Sequence, residues 1–531
     1  MLLSKITASR NRLTTKLISP MAWVNPPLLL VITTLGLFAG LRLVHLSADF
    51  PVGISSYGMT YSDEGWWSRN AIALVREGQW YIDDGYNTIF NLPVLPLIQA
   101  AWFKIFGVSL VAARSITVLS VIATSALVYV IANADPRPNT PKSGLTWLAP
   151  FIVLSSYPVF VYSRLALLEL PMMGLILMSL WLAIASSSQP SADFAHSAVK
   201  RAKIIGSAIF FALAVLTKTS ALFALPLMLA MLCLQPGKRQ QKVQTLLIWL
   251  LTFSLVAGLY TYIYSHGEYA LSYGHFSGYN VTGKMHRGLF SIIKGPLRVL
   301  KYSFELFPLM LSCLLISLLT LVRSPAYRSN QSFQIAAIWS VSALAAFSTS
   351  NYAAPRYFLI WIVPAALAIP LAIEYFLNHP SWKKNLLITL FSLSIVISLG
   401  RIVYYLSTPQ FTLVNMADQV SATIEANPDH PPIVMGHFAD TLALVSNIKT
   451  INDRMGYREL DYRIETFNPG YYISVGEVEP SIIETIDTYY KKELLQTFDV
   501  YQNYDYGVPV HFYRLDAYDW WQPSNRSLKA N

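Results

Sequence analysis

The sequence predicts a polytopic α-helical membrane protein carrying a small α/β domain at its C-terminal end. Three observations lead there. The 531 residues are 54% hydrophobic and only 13% charged, with a mean hydropathy of +0.43, whereas soluble globular chains carry about 25% charged residues. The apolar residues fall in blocks of roughly 18–25, the helix length that crosses about 30 Å of hydrocarbon. Composition then changes near residue 408: the chain beyond it holds 9 Lys/Arg against 17 Asp/Glu, the chain before it 30 against 12. The blocks lack the period-two alternation of a barrel, and only helices or closed barrels satisfy the backbone in lipid.

The expected spans, about eleven, are 27–47, 111–132, 145–162, 168–187, 204–217, 220–234, 243–264, 298–322, 332–350, 356–377 and 385–406. With the N-terminus in the cytoplasm, the cytoplasmic connections carry Arg137 and Lys142; Lys200, Arg201 and Lys203; Lys238, Arg239 and Lys242; Arg323 and Arg328; Lys383 and Lys384. All are basic, as the positive-inside rule requires of short loops. Basic charge here marks topology in a cell inner (plasma) membrane, with no need of a nucleic-acid partner. The first ~25 residues carry Lys5, Arg10, Arg12 and Lys16 without a convincing cleavage site, so the first helix reads as uncleaved. Cys233 and Cys313 lie in separate apolar blocks, where a disulfide between them is not expected.

This topology places a first external loop over about 48–110, a transmembrane domain over 1–407 and an extracytoplasmic α/β domain over 408–531. In the loop, "YSDEGWWSRN" (61–70) reads as the start of an amphipathic helix capped by Ser62 or Asp63, and 92–107 as a helix lying along the interface. In the C-terminal domain, 431–436, 470–475, 494–501 and 508–515 read as strands, and 411–426 and 480–495 as helices.

Ionisable residues at external span ends are the site candidates, because charges near membrane depth are costly and usually functional. They are Asp63 and Glu64 in the first loop, Arg164 and Glu169 around the external hairpin between spans three and four, Lys218 in an apolar stretch, Arg356 opening the tenth span, and Arg69 on the loop helix. A carboxylate held near a target proton can act as general base, and Arg and Lys can hold a phosphate. Each also has a structural role open to it. Acids favour first turns, Lys218 can mark a hairpin, Arg356 can anchor at the interface, Glu169 can pair with Arg164, and Arg69 can face solvent.

These stretches resemble a family. "YSDEGWWSRNAIALVREGQWYI" followed by "NLPVLPLIQAAWFKIFGVSLVAARSITVLS" is similar to the opening of polyprenol-dependent glycosyltransferases of the GT-C fold. The nearest branch is that of protein O-mannosyltransferases and lipid A aminoarabinose transferases. Asp63–Glu64, Pro93, Pro96, Phe106–Gly107 and Arg114 occupy the family's positions. "YSRLALLELPMM", "LTKTSALFALP" and "APRYFLIWIVP" resemble its later motifs, with Glu169 where Asp is commoner. Asn91 stands near where that family carries a phosphate-binding Lys. The resemblance covers about 27–378. It implies a polyprenyl-phosphate-linked sugar donor and a lipid, glycan or protein acceptor. Asp63 would be the catalytic base of an inverting transfer, with Glu64 or Glu169 orienting, and Lys218, Arg356 and Arg69 on the phosphate. No cofactor is obligatory, although clustered carboxylates could hold a divalent cation.

A lipid or glycan transporter, or flippase, is the first alternative. It would place ionisable groups near the midplane, where Glu305 and Glu374 are the candidates. A membrane sensor with an external ligand domain is the second. The topology itself predicts that a cysteine replacing Ser62 will react with an impermeant maleimide applied from outside intact cells. Labelling only after permeabilisation would reverse the assignment.

Overall fold

Proline, more than length, sets where the apolar blocks become helices. The computed structural model describes residues 26–51, 60–85, 87–134, 143–187, 194–278, 289–350, 354–379, 381–454, 456–501 and 508–521. The N-terminal basic residues and the loop residues Arg137 and Lys142 lie outside the described residues. Through the membrane region the helices are α1 (Pro26–Leu43), α2 (Thr60–Glu77), α3 (Val94–Phe106), α4 (Leu110–Asn133), α5 (Leu148–Ser155), α6 (Tyr157–Tyr162), α7 (Glu169–Ala185) and α8 (Phe194–Thr217). They continue as α9 (Leu225–Cys233), α10 (Arg239–Phe253), α11 (Leu259–His266), α12 (Ala270–Ser277), α13 (Leu289–Leu306), α14 (Pro308–Leu321), α15 (Pro325–Arg328), α16 (Gln331–Ser348), α17 (Ile362–Asn378) and α18 (Trp382–Ser407).

Among the described residues, four runs are long and apolar enough to cross a membrane: Leu110–Asn133, Arg239–His266, Pro355–Asn378 and the run beginning at Trp382. Several other expected spans are interrupted. The block 145–162 breaks between α5 and α6, with Pro158 in the first turn of the second piece. The block 298–322 breaks at Phe307, held at φ −132°, ψ 55° ahead of Pro308. A residue before proline is pushed out of the helical region, and proline has no N–H to continue the ladder. This break moves Glu305 away from a mid-span position. It lies exposed near the end of α13, 3.8 Å from exposed Lys301.

The helix expected from Glu64 begins earlier, at Thr60, so Asp63 sits in its first turn instead of capping it. The interfacial helix expected at 92–107 is α3, ended by Gly107 at φ +79°, a backbone conformation open chiefly to glycine. Inside the bundle α7 packs against both α4 and α8. Several buried polar groups there are paired: the Ser179 hydroxyl donates to the Ser207 carbonyl at 2.7 Å, and the Trp249 indole to the Ser207 hydroxyl at 3.1 Å. An unpaired polar group would cost several kcal/mol in lipid.

The C-terminal part contains α19 (Thr412–Glu425), β1 (Ile433–Met435), α20 (Ala439–Val445), β2 (Lys449–Ile451), α21 (Leu460–Phe467), β3 (Tyr471–Val475), α22 (Pro480–Tyr489), β4 (Tyr490–Val500) and β5 (Val508–Ala517). Its sheet has the order β2-β1-β3-β5-β4, parallel across β2, β1 and β3 and antiparallel across β3, β5 and β4. The helix expected over 480–495 stops at Tyr489. Tyr490 turns to φ −134°, ψ 143°, and the chain pairs with β5 from Tyr490 opposite Ala517 to Val500 opposite Val508. Helix-favouring Lys, Glu and Leu in "KKELL" yield to a long antiparallel partner, a tertiary override of local preference. Strand β2 has only three residues, too few for a periodic signal.

Asp49, at the exit of the first helix region, receives the start of α19. Its carboxylate accepts from the Thr412 amide at 2.9 Å, the Thr412 hydroxyl at 2.6 Å and the Leu413 amide at 3.3 Å. It satisfies orphan donors at a helix start, as a capping side chain does, from hundreds of residues away. Farther out, Asp453 is 3% exposed and accepts from the Tyr472 hydroxyl at 2.9 Å. Burial pushes its carboxyl up to about 6. A folded-state value above the unfolded one means that the native state holds the proton more tightly. The associated stability is therefore present below about pH 4 and lost as pH rises through about 6. We predict that Asp453→Asn, which cannot ionise, gains on the wild type by about 1–3 kcal/mol between pH 4 and pH 7. Denaturant melts at both pH values measure this.

Candidate active site

Consecutive helical residues point about 100° apart, so Asp63 and Glu64 cannot face the same partners. Asp63, in the first turn of α2, reaches Arg356, whose Nη2 lies 2.7 Å from Oδ2. Arg356 stands in a 3₁₀ helix, Pro355–Trp361, directly before α17. Its Nε lies 3.1 Å from Oε1 of Glu169. Glu169 is the first residue of α7, where helix amides favour negative charge. The same Oε1 accepts from Lys218 Nζ at 2.5 Å. Lys218 occupies an extended residue (φ −158°, ψ 122°) between α8 and the 3₁₀ helix Thr219–Ala224. Its ammonium lies 4.0 Å from the centroid of the Tyr357 ring, in cation–π contact.

Four charges from four separate chain segments thus form one chain of contacts, Asp63–Arg356–Glu169–Lys218. Their exposures are 3%, 7%, 4% and 8%. Two carboxylates and two cations cancel, which is what allows them to be buried together, since an uncompensated buried charge is strongly destabilising.

The other expected site residues go elsewhere. Glu64 forms a bidentate pair with Arg114, at 2.8 Å to Nε and 2.7 Å to Nη2, and accepts from the Ala166 amide at 2.8 Å. Arg114 also donates to the carbonyls of Leu46 at 2.8 Å and Ala48 at 2.7 Å. Arg164 does not meet Glu169. It donates to the carbonyls of Arg42 at 2.9 Å, Val44 at 2.6 Å and His45 at 2.6 Å, satisfying the exposed end of α1. Arg69 lies about 9 Å farther along α2, and binds the Thr450 carbonyl at 2.6 Å and Asp440 at 3.3 Å. Asn91 donates to the Ser277 hydroxyl at 2.8 Å.

Arg42 escaped sequence reading. It is wholly buried and donates to the Ser163 hydroxyl at 2.8 Å and to the carbonyls of Phe38 at 3.1 Å and Leu154 at 2.9 Å. A lone arginine inside an apolar block was the available signal. Among the described residues no donor set for a divalent cation is assembled at this cluster. Asp63 and Glu169 already face Arg356 and Lys218, cations placed where a metal would compete, and no group of three His, Cys, Asp or Glu converges among the described residues. Hard divalent ions need about six oxygen ligands.

This architecture recurs in solved glycosyltransferases. ArnT from Cupriavidus metallidurans, in a structure bound to undecaprenyl phosphate, superposes with a TM-score of 0.60 at 13% identity, covering 91% of this chain and 97% of that one. The oligosaccharyltransferase AglB from Archaeoglobus fulgidus, in complex with an inhibitory peptide and a dolichol-phosphate, superposes at 0.55 with 11% identity, covering 93% and 75%. At such low identity the likeness establishes the fold: the chain has the GT-C fold of these membrane enzymes. No family model and no curated protein matches the sequence.

The geometry separates the two adjacent acids by role. Glu64→Ala strands Arg114, which is 1% exposed, and should cost about 3–5 kcal/mol of stability. Thermal unfolding of the purified protein in detergent measures the loss.

Proposed function

We propose that this chain is an integral membrane glycosyltransferase that moves a sugar from a polyprenyl-phosphate donor to an acceptor hydroxyl on a lipid, glycan or protein. The observation that carries the reading is the buried convergence of Asp63, Arg356, Glu169 and Lys218. The GT-C fold shared with lipid-linked-donor transferases supports it. The basic short loops support a cytoplasmic N-terminus, which puts the site and the domain after residue 407 on the extracytoplasmic side.

In this reading the donor phosphate lies against Arg356 and Lys218. It competes with Asp63 for Arg356, so donor binding releases the carboxylate toward the acceptor. Asp63 takes the proton of the acceptor hydroxyl, whose oxygen attacks the anomeric carbon from the face opposite the phosphate. The anomeric carbon–oxygen bond breaks, the electron pair leaves with the polyprenyl phosphate, and configuration inverts. Arg356 and Lys218 hold the growing negative charge, the preorganised electrostatic role that commonly dominates such steps. Glu169 keeps both cations in place. Glu64 acts at one remove, by fixing α2 through Arg114. No step passes through a metal ion.

The test uses purified protein with a radiolabelled polyprenyl-phosphate sugar and envelope extracts as acceptor source. Asp63→Asn preserves size and one acceptor oxygen but removes the base, and should lower turnover by about 10²–10⁴ while the protein still binds polyprenyl phosphate. Wild-type turnover in a folded Asp63→Asn variant would refute the assigned base.

A further inference from the structure

The domain after residue 407 is seated on the helix that carries Asp63, and the contact is too close to be incidental. Helix α20 crosses α2 at Gly65, two residues from Asp63. A methyl group added there would lie 2.2 Å from the Asp440 carbonyl carbon, 2.3 Å from the Thr441 amide nitrogen and 2.4 Å from the Asp440 carbonyl oxygen. These are backbone atoms, so only glycine permits this approach. Polar contacts then run along α2. Arg69 Nε lies 3.3 Å from Asp440 Oδ1 and Nη2 donates to the Thr450 carbonyl at 2.6 Å. Arg76 donates to the Ala443 carbonyl at 2.9 Å. Asn452 donates to the other Asp440 oxygen at 3.0 Å. Just past α2, Asp84 accepts from the Tyr457 and Arg458 amides at 2.8 and 2.7 Å and pairs with Arg463 at 3.0 Å.

We propose that Gly65, Arg69 and Asp440 are positioning residues of the transfer site: the C-terminal domain locks the rotation and depth of α2, and so holds Asp63 on Arg356. The inference rests on the transfer reading for its kinetic consequence and on packing alone for its mechanical one. Helical geometry makes it sharp. A slip of α2 by a single residue moves Asp63 about 1.5 Å along the axis and turns it by about 100°. The Glu64–Arg114 pair fixes the first turn of α2 from the membrane side. The Arg69–Asp440 pair fixes the next turns from the opposite domain. The acidic domain is then part of the catalytic machinery, not a passenger.

The experiment compares full-length wild type with Gly65→Ala, Arg69→Ala and Arg69→Lys, and with Gly36→Ala, whose added methyl meets nothing within 4 Å. Hydrogen exchange over 60–77 and steady-state kinetics are measured on each. Gly65→Ala and Arg69→Ala should exchange at least about tenfold faster across α2. Their kcat should fall by about tenfold to a hundredfold, with donor KM changing less than about threefold. Arg69→Lys should recover part of kcat, and Gly36→Ala should match the wild type. Folded variants whose α2 exchanges like wild type would overturn the proposal, as would a loss carried by donor KM or an unchanged kcat despite faster exchange. Should Gly65→Ala not fold, the Arg69 series decides by the same criteria. A wild type that shows no transfer while α2 still responds would refute the transfer reading and leave the mechanical coupling standing.

Discussion

Arg356, late in the membrane region, bridges two carboxylates from its early part, Asp63 in the first loop and Glu169 at the start of α7, and much of the architecture follows from keeping that bridge buried and neutral. Its guanidinium holds Asp63 through Nη2 and Glu169 through Nε, and Lys218 completes the balance on Glu169. A planar fork serves two carboxylates through separate nitrogens in a fixed geometry, which a lysine's single ammonium nitrogen does not offer. Removing any member leaves a buried charge with too few partners, so the first loop, the start of α7, the turn after α8 and the entry to α17 must all stay in register. In the proposed transfer, an incoming phosphate would take the place of Asp63 at Arg356, and the displaced carboxylate is then free to take up a proton.

The other buried arginines show how the membrane region supports that cluster. Arg42, Arg114 and Arg164 direct most of their hydrogen bonds to backbone carbonyls near the end of α1, at Phe38, Arg42, Val44, His45, Leu46 and Ala48. The last carbonyls of a helix have no partner within it, and in a water-poor setting something else must satisfy them. Arginine does so while keeping its charge, and Arg114 alone adds a carboxylate, Glu64. This pairing ties the exit of α1 to the first turn of α2, the turn that carries Asp63.

Beyond the bundle, the five-stranded sheet and its helices rest on α2 through a glycine contact, ion pairs and backbone acceptors, with Asp49 anchoring α19 at the membrane side. The interface joins directional polar contacts to apolar packing, since Leu442, Ala443 and Leu444 share one buried core with Ala71 and Ile72 of α2.

The membrane class, the approximate positions of the apolar blocks, the loop helix and the identity of the charged candidates were legible in the sequence, because hydropathy, the positive-inside bias and isolated charges are local or nearly local signals. The helix breaks at Phe307–Pro308 and at Pro158 were written in prolines but read through as continuous spans. The start of strand β4 was masked by a helix-favouring stretch although 494–501 read as strand, and β2 was too short to show a period. Above all, a string cannot say which of two adjacent acids faces the cations. Asp63 and Glu64 look interchangeable until the helix turns them about 100° apart, one toward Arg356 and the other toward Arg114. Arg69 and Arg164, equally plausible phosphate ligands by position, are drawn to backbone carbonyls and to Asp440 instead. The sequence by itself determined which charges a lipid-embedded chain was willing to carry. Tertiary structure alone decided their partners, because pairing depends on distances between segments that lie tens to hundreds of residues apart.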